Sequence, residues 1–227
     1  MPDSAIVHII DDDAGERRAL CSAVEALGVH TLSYPSADEF FSAFSPETPG
    51  CLIAEVQMSG IRGLDLMQSI QRHGWNLPVI LVSAYASIPM AVQALQAGAV
   101  TFLEKPCGNT ELWNAVRAAL ERDAEQRQRQ ARLGDITARL QRLTPQEGSV
   151  LAMIARGVQN KAIAARQNVT VRTIEARRRR VFLKMGARNL AELIHLAVEI
   201  GLYPSARDVQ PPSGRRPVNA MGPTIFG

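Results

Sequence analysis

The chain has 227 residues, 46% of them hydrophobic and 5% aromatic, with 25 Lys+Arg against 22 Asp+Glu. This is globular composition, and with no stretch near the roughly 18 apolar residues of a membrane span it excludes collagenous, disordered and membrane-embedded classes. The acid-rich start MPDSAIVHIIDDD is unlike a signal peptide, and Cys21, Cys51 and Cys107 are widely spaced with no CxxC pair, so the reading is a cytoplasmic protein with buried thiols and neither a disulfide framework nor a zinc site.

The net charge of +3 hides two opposite halves. Residues 1–122 carry 7 Lys/Arg against 14 Asp/Glu, whereas residues 123–227 carry 18 against 8. A basic half holding Arg177, Arg178, Arg179 and Arg180 in one run points to a polyanion partner, most simply nucleic acid.

In chain order, short apolar runs at 5–10, 29–34, 51–55, 79–83 and 100–103 alternate with helical spacings such as Arg17, Leu20, Val24, Leu27 and Met90, Ala94, Ala97. Nearly continuous apolar strands alternating with helices predict a doubly wound, five-stranded parallel sheet, an α/β domain over residues 1–122 whose chemistry lies at the carboxyl ends of the strands. The first strand ends in Asp11, Asp12 and Asp13, the third in Glu55 and the fourth in Ser83, and Lys105 follows the fifth. Converging on one rim, carboxylates at Asp11, Asp12 and Glu55 would hold Mg²⁺, while the hydroxyl and the ammonium would hold phosphoryl oxygens. No cofactor is required by this reading, and Mg²⁺ is the ion the carboxylates suit.

Residues 123–143 read as a helical linker whose middle, ERDAEQRQRQARLGD, is too polar for a core. Leu133, Ile136, Leu140 and Leu143 form a short stripe that either docks within the chain or dimerises. Thr144, Pro145 and Glu147 open the next helix as N-cap, N1 proline and capping-box acid. A short helix over 161–167, a turn at 168–170 and a longer helix over 171–185 follow, with Ile174, Val181 and Met185 inward. Two helices joined by a tight turn, the second rich in arginine, meet the helix-turn-helix description, and a fourth helix over 189–200 completes an all-α domain at 144–204. Residues 205–227, rich in Pro, Gly and polar residues, read as a disordered tail.

Residues 5–120 resemble the receiver domain of two-component response regulators, through IIDDD, LIAEVQMSGIRG, VILVSA and TFLEKP at successive strand ends. Residues 144–204 resemble a LuxR-type helix-turn-helix, and the combination is similar to the FixJ-like branch of transcriptional regulators. The resemblance implies a flavodoxin-like receiver, a homodimer formed on the face of residues 87–97, 100–103 and 109–120, a sensor histidine kinase and RNA polymerase as partners, and no membrane. It also implies that Ser83 and Phe102 move together when a phosphate forms on the third strand. There the family carries an aspartate and this chain carries Glu55, with Ser59 in place of the usual proline and Gly63 retained. A Glu carboxylate reaches roughly 1.5 Å further, and a misplacement of about 1 Å can lower a positioned reaction on the order of 100-fold. Phosphotransfer should therefore be very slow or absent, leaving Glu55 either as a standing mimic of the activated state or as the mark of a pocket that no longer switches. Asp65, on the following helix, is read as a first-turn acid and not as a substitute acceptor.

In the second domain Glu175, Ala176 and Arg179 share an outward face and match positions that contact base edges in the resembling family, Arg179 suiting guanine and Glu175 cytosine. Lys161, Arg172, Thr173, Arg177, Arg178, Arg180 and Lys184 are assigned to phosphates. The expected function is a sequence-specific transcriptional regulator acting as a dimer on double-stranded DNA, at an inverted-repeat promoter site. Two alternatives stay open: an aspartate-dependent phosphohydrolase built on the Asp11/Asp13 pair, and an adaptor receiver that binds a sensor protein.

Overall fold

The computed structural model describes residues 5–58, 60 and 62–202, which divide into two compact units, Met1–Gln130 and Ala131–Gly227. The first alternates β1 (Ile6–Ile10), α1 (Ala14–Glu25), β2 (His30–Tyr34), α2 (Ala37–Ala43), β3 (Gly50–Glu55), α3 (Gly63–Arg72), β4 (Val79–Ser83), α4 (Ile88–Gln96) and β5 (Thr101–Glu104), and then begins α5 (Asn109–Gln141). All strand pairings are parallel, in the order β2-β1-β3-β4-β5.

Strand periodicity sorts the core. Val7, Ile9, Cys51, Ile53, Ile80 and Val82 face one way and pack with Leu20 and Val24 of α1 and Leu112 and Val116 of α5. Ile10, Leu52, Ala54, Val79 and Leu81 face the other way, against Phe40, Leu66, Ile70 and Ala94 of α2, α3 and α4. Helices cover both faces, which is why β3 and β4 read as nearly unbroken apolar runs, while β2 at the sheet edge is more polar and largely exposed. Cys51 is buried, while Cys21 and Cys107 are half-buried, and all three are free.

Side-chain caps start the helices. Asp13 accepts from the N–H groups of Gly15 and Glu16 at α1, and Ser36 and Ser87 cap α2 and α4. His8 is 3% exposed, with Nδ1 3.0 Å from the Tyr34 hydroxyl and Phe40 and Phe44 edge-on to its ring. Burial lowers its pKa to about 4.

The second unit holds the C-terminal part of α5 with α6 (Pro145–Ala155), α7 (Asn160–Gln167), α8 (Val171–Met185) and α9 (Leu190–Glu199). The capping box at Thr144 and Glu147 forms as the sequence suggested. Asn168 ends α7 in the left-handed conformation at φ 51°, and Gly186 ends α8 at φ 69°, a region that asparagine and glycine enter at least cost. Ile163, Ala164, Ile174, Val181 and Met185 are buried together with Leu193 and Leu196.

The stretch 123–143, expected as a helical linker, is helical through Gln141 as the C-terminal part of α5, and the boundary between the two units falls within it. Asp123, in the polar middle, is 3% exposed and accepts from the Gly50 N–H at 3.0 Å. Arg127 binds both oxygens of Asp123 and donates to the carbonyls of Pro46, Glu47 and Thr48. Any Cβ at Gly50 would collide with the Ile6 carbonyl oxygen, so only glycine fits at the strand end that Asp123 grips. In the second unit Ile136 is 1% exposed in the helical core, with Leu140 and Leu143 partly buried beside it. The apolar stripe thus docks within the chain. The expected tail, 205–227, lies outside the described residues. No helix among the described residues is long and apolar enough to cross a membrane.

Candidate functional site

The parallel register carries the strand ends to one rim. Ala54 pairs with Ile10, Glu55 with Val82, and Ser83 with Glu104, the residue before Lys105. Asp11 and Glu55 are 1% and 6% exposed, burial that carboxylates tolerate only when paired. Their partners are explicit. Asp11 Oδ1 accepts from the Asp13 N–H at 2.9 Å, and Oδ2 meets Lys105 Nζ at 2.5 Å. Glu55 Oε1 accepts from the N–H groups of Val56 and Gln57 at 3.0 and 3.2 Å, and Oε2 lies 2.7 Å from Lys105 Nζ. A third carboxylate, Glu16, reaches the same ammonium at 2.5 Å. Burial works against the charged amine, but the hydrogen bonds to Asp11, Glu16 and Glu55 outweigh it and raise the Lys105 pKa well above the usual lysine range.

The carboxylates that converge are therefore Asp11, Glu16 and Glu55, with one oxygen of each within 4.8 Å of the others. This differs from the Mg²⁺ set expected from the sequence, because Asp12 is exposed and does not belong to the cluster. Glu16 was missed: it sits in the first turn of α1, and its own N–H donates to the capping Asp13 at 2.8 Å. With the ammonium at the point of convergence, the residues as arranged do not fit a divalent ion.

Ser83 is 1% exposed, and its Oγ accepts from the Tyr85 N–H at 3.3 Å. Phe102 is half-buried against the second core cluster, and Tyr85 is 77% exposed. Asp65 stands in the first turn of α3, where its charge suits the helix dipole. The Asp11/Asp13 pair is not arrayed for hydrolysis, since Asp13 Oδ1 takes two α1 N–H groups at 2.7 and 2.8 Å.

In the second unit the arginine run separates into two sets. Glu175, Ala176 and Arg179 are exposed, as are Lys161, Arg172 and Arg180. The others are held. Arg177 donates to Gln167 Oε1 at 2.6 Å, Arg178 donates to Asn160 Oδ1 at 3.3 Å and lies over the Phe182 ring, and Lys184 meets Glu147 at 2.6 Å. Thr173 completes the α8 cap, its N–H and hydroxyl both meeting the Thr170 hydroxyl. Four residues assigned to phosphates from sequence thus tie α8 internally, to α6, to α7 and to its own cap. Asn160 and Gln167, their partners, carried no signal of their own.

Comparison with known proteins follows the same division. Residues 7–117 match the response regulator receiver domain, and residues 141–197 match the bacterial regulatory proteins of the luxR family. The chain is 36% identical over 205 residues to the transcriptional regulatory protein FixJ of Azorhizobium caulinodans, covering 90% of this chain and 97% of that one. It is 34% identical over 198 residues to nodulation protein W of Bradyrhizobium diazoefficiens, covering 87% of each. Among solved structures, the response regulator StyR aligns with a TM-score of 0.77 at 30% identity, covering 86% of this chain and 99% of that one. Full-length FixJ from B. japonicum aligns at 0.53 and 31%, covering 87% and 98%. FixJ is a transcriptional regulatory protein, and the chain belongs to the FixJ-like response regulators, in which a receiver domain is joined to a LuxR-type DNA-binding domain.

Proposed function

We propose that this chain is a cytoplasmic, sequence-specific regulator of transcription that binds promoter DNA as a homodimer through α8, and that Glu55 takes the place of the phosphoacceptor and sets the receiver without phosphorylation. The observation that carries this reading is the Glu55 carboxylate, whose Oε2 lies 2.7 Å from Lys105 Nζ while Oε1 is held by two backbone N–H groups. A side chain so placed brings standing negative charge to the lysine that follows β5. Ser83 stays with Tyr85, so the charge engages Lys105 and leaves the hydroxyl arm aside. Ile88, Val92 and Leu95, exposed on α4 at 82%, 45% and 53%, support dimerisation on that face. A sensor kinase and RNA polymerase are the protein partners the family suggests.

Incubation with acetyl phosphate or a histidine kinase, in the presence of Mg²⁺, tests the reading. Wild type should take no label, and Glu55→Asp should gain it. Unphosphorylated Glu55→Asp should also bind DNA less well than wild type and recover on phosphorylation. A phosphoryl group found on the wild-type protein at Glu55, Asp11 or Asp65 would return it to the phosphorylation-switched class. Receiver function without any DNA affinity would favour the adaptor.

A further inference from the structure

We infer that Lys105 is the resident cation of this pocket: its ammonium gathers the carboxylates that a divalent ion would need, and the wild-type site does not take up Mg²⁺. The inference deepens the reading of Glu55 given above and rests on it for the identity of the pocket.

The stoichiometry is the first support. An ammonium has three N–H donors and no acceptor. Lys105 meets three carboxylate oxygens, one each from Asp11, Glu16 and Glu55, at 2.5, 2.5 and 2.7 Å. Its side chain is 10% exposed, so each donor finds a carboxylate and little of the amine remains for water. The second support is where the remaining oxygens point. Asp11 Oδ1 holds the Asp13 N–H, and Glu55 Oε1 holds the N–H groups of Val56 and Gln57. Neither buried carboxylate can turn a second oxygen to an ion without breaking a backbone hydrogen bond. Mg²⁺ demands near-octahedral oxygen ligands at about 2.0–2.1 Å and keeps several waters. The cluster offers instead three oxygens already gathered on a single nitrogen.

Two residues of this chain produce the arrangement. Glu55 extends far enough to reach the ammonium, and Glu16 supplies the third acceptor from the first turn of α1, where Asp13 fixes its backbone. An aspartate at position 55 would withdraw by roughly one C–C bond, about 1.5 Å, and return one donor of Lys105 to water, opening the cluster to an ion with its own hydration shell.

Calorimetric titration of the full chain with MgCl₂, with the melting temperature followed in parallel, tests this. Wild type should give no saturable heat at millimolar Mg²⁺ and no shift in melting. Lys105→Met, which keeps length and removes the charge, should gain saturable Mg²⁺ binding and a Mg²⁺-dependent rise in melting temperature. If Lys105→Met does not fold alone, Mg²⁺ should rescue its refolding. Glu55→Asp, which keeps the lysine, should gain saturable Mg²⁺ binding in the same titration. Saturable Mg²⁺ binding by wild type overturns the inference, as does a folded Lys105→Met that ignores Mg²⁺. Either result leaves the phosphoacceptor reading standing, because that depends on label at residue 55 and not on metal heat.

Discussion

Replacing Arg177 and Arg180 separately by alanine should divide residues that hold the DNA-binding unit together from residues that hold DNA. Arg180 is exposed beside Arg179, whereas Arg177 is partly buried and donates to Gln167 at 2.6 Å. Each phosphate neutralised by a cation contributes about 0.9 to the slope of log K against log salt. Arg180→Ala should therefore flatten the slope by about 0.9 for each recognition helix. Between about 50 and about 200 mM salt, that lost contact corresponds to about a 3.5-fold smaller fall in affinity per helix. Arg177→Ala should leave the slope unchanged and instead lower the stability of the α7–α8 pair by about 1 kcal/mol, the worth of a partly exposed charged hydrogen bond. Gln167→Ala should reproduce that effect. Fluorescence anisotropy on a bound promoter fragment at several salt concentrations reads the slope, and urea unfolding reads the stability. If Arg177→Ala flattens the slope as much as Arg180→Ala, Arg177 leaves Gln167 for a phosphate and the division of the arginine run is wrong.

Arg179→Ala should cost about 1–3 kcal/mol at one base pair of each half-site and relax the preference there, which binding to a set of single-base variants measures. Glu147→Gln should destabilise the second unit by about 1–2 kcal/mol near neutral pH, since Glu147 is 3% exposed and pairs with Lys184 and the Thr144 N–H. Lys184, and after it the Thr144 N–H, hold the Glu147 carboxyl below the ordinary value of 4.5. Its contribution is then complete above pH 4.5 and is lost as the pH falls below it, an acid limb that Glu147→Gln should flatten in circular dichroism melts. His8, held neutral by burial with a pKa of about 4 against 6.5, should withdraw up to about 3 kcal/mol from the receiver as the pH falls from 6.5 to 4, because the unfolded chain takes up the proton first. Trp75 and Trp113 both lie in the receiver unit, so tryptophan fluorescence follows this transition, and His8→Phe should remove its pH dependence.

Periodicity made the sheet legible. Strands buried on both faces leave continuous apolar runs, and the pairs 51/53 and 52/54 need no further signal to fall on opposite sides. Cap chemistry located α6 to the residue, because Thr144, Pro145 and Glu147 each have a local reason to stand where they do. The α9 face was only partly legible: Leu196 is 8% exposed in the core while Leu190 is 42% exposed, and a helix apolar nearly all round gives periodicity little contrast. The rim carried Asp11, Glu55 and Lys105 in its sequence, since strand ends in a parallel sheet converge by topology. It did not carry Glu16, an ordinary first-turn acid until the fold brings Lys105 from 89 residues away. The arginine run carried no division for the same reason: four adjacent charges look alike in sequence, and only the packing of α6 and α7 shows which of them have partners within the chain.

The grip of Asp123 and Arg127 on the chain before β3 decides where this protein can be cut for study. A receiver excised at 122, where charge and motif both place its end, would lose the carboxylate that takes the Gly50 N–H and the guanidinium that gathers the Pro46, Glu47 and Thr48 carbonyls. A DNA-binding fragment begun at 144 would likewise lose Ile136 from its core. The boundary between the two compact units falls between residues 130 and 131, within the span of α5. Independent expression of either half calls for termini at that peptide bond, and fragments trimmed to the visible motifs should fold less stably than the halves do within the intact chain.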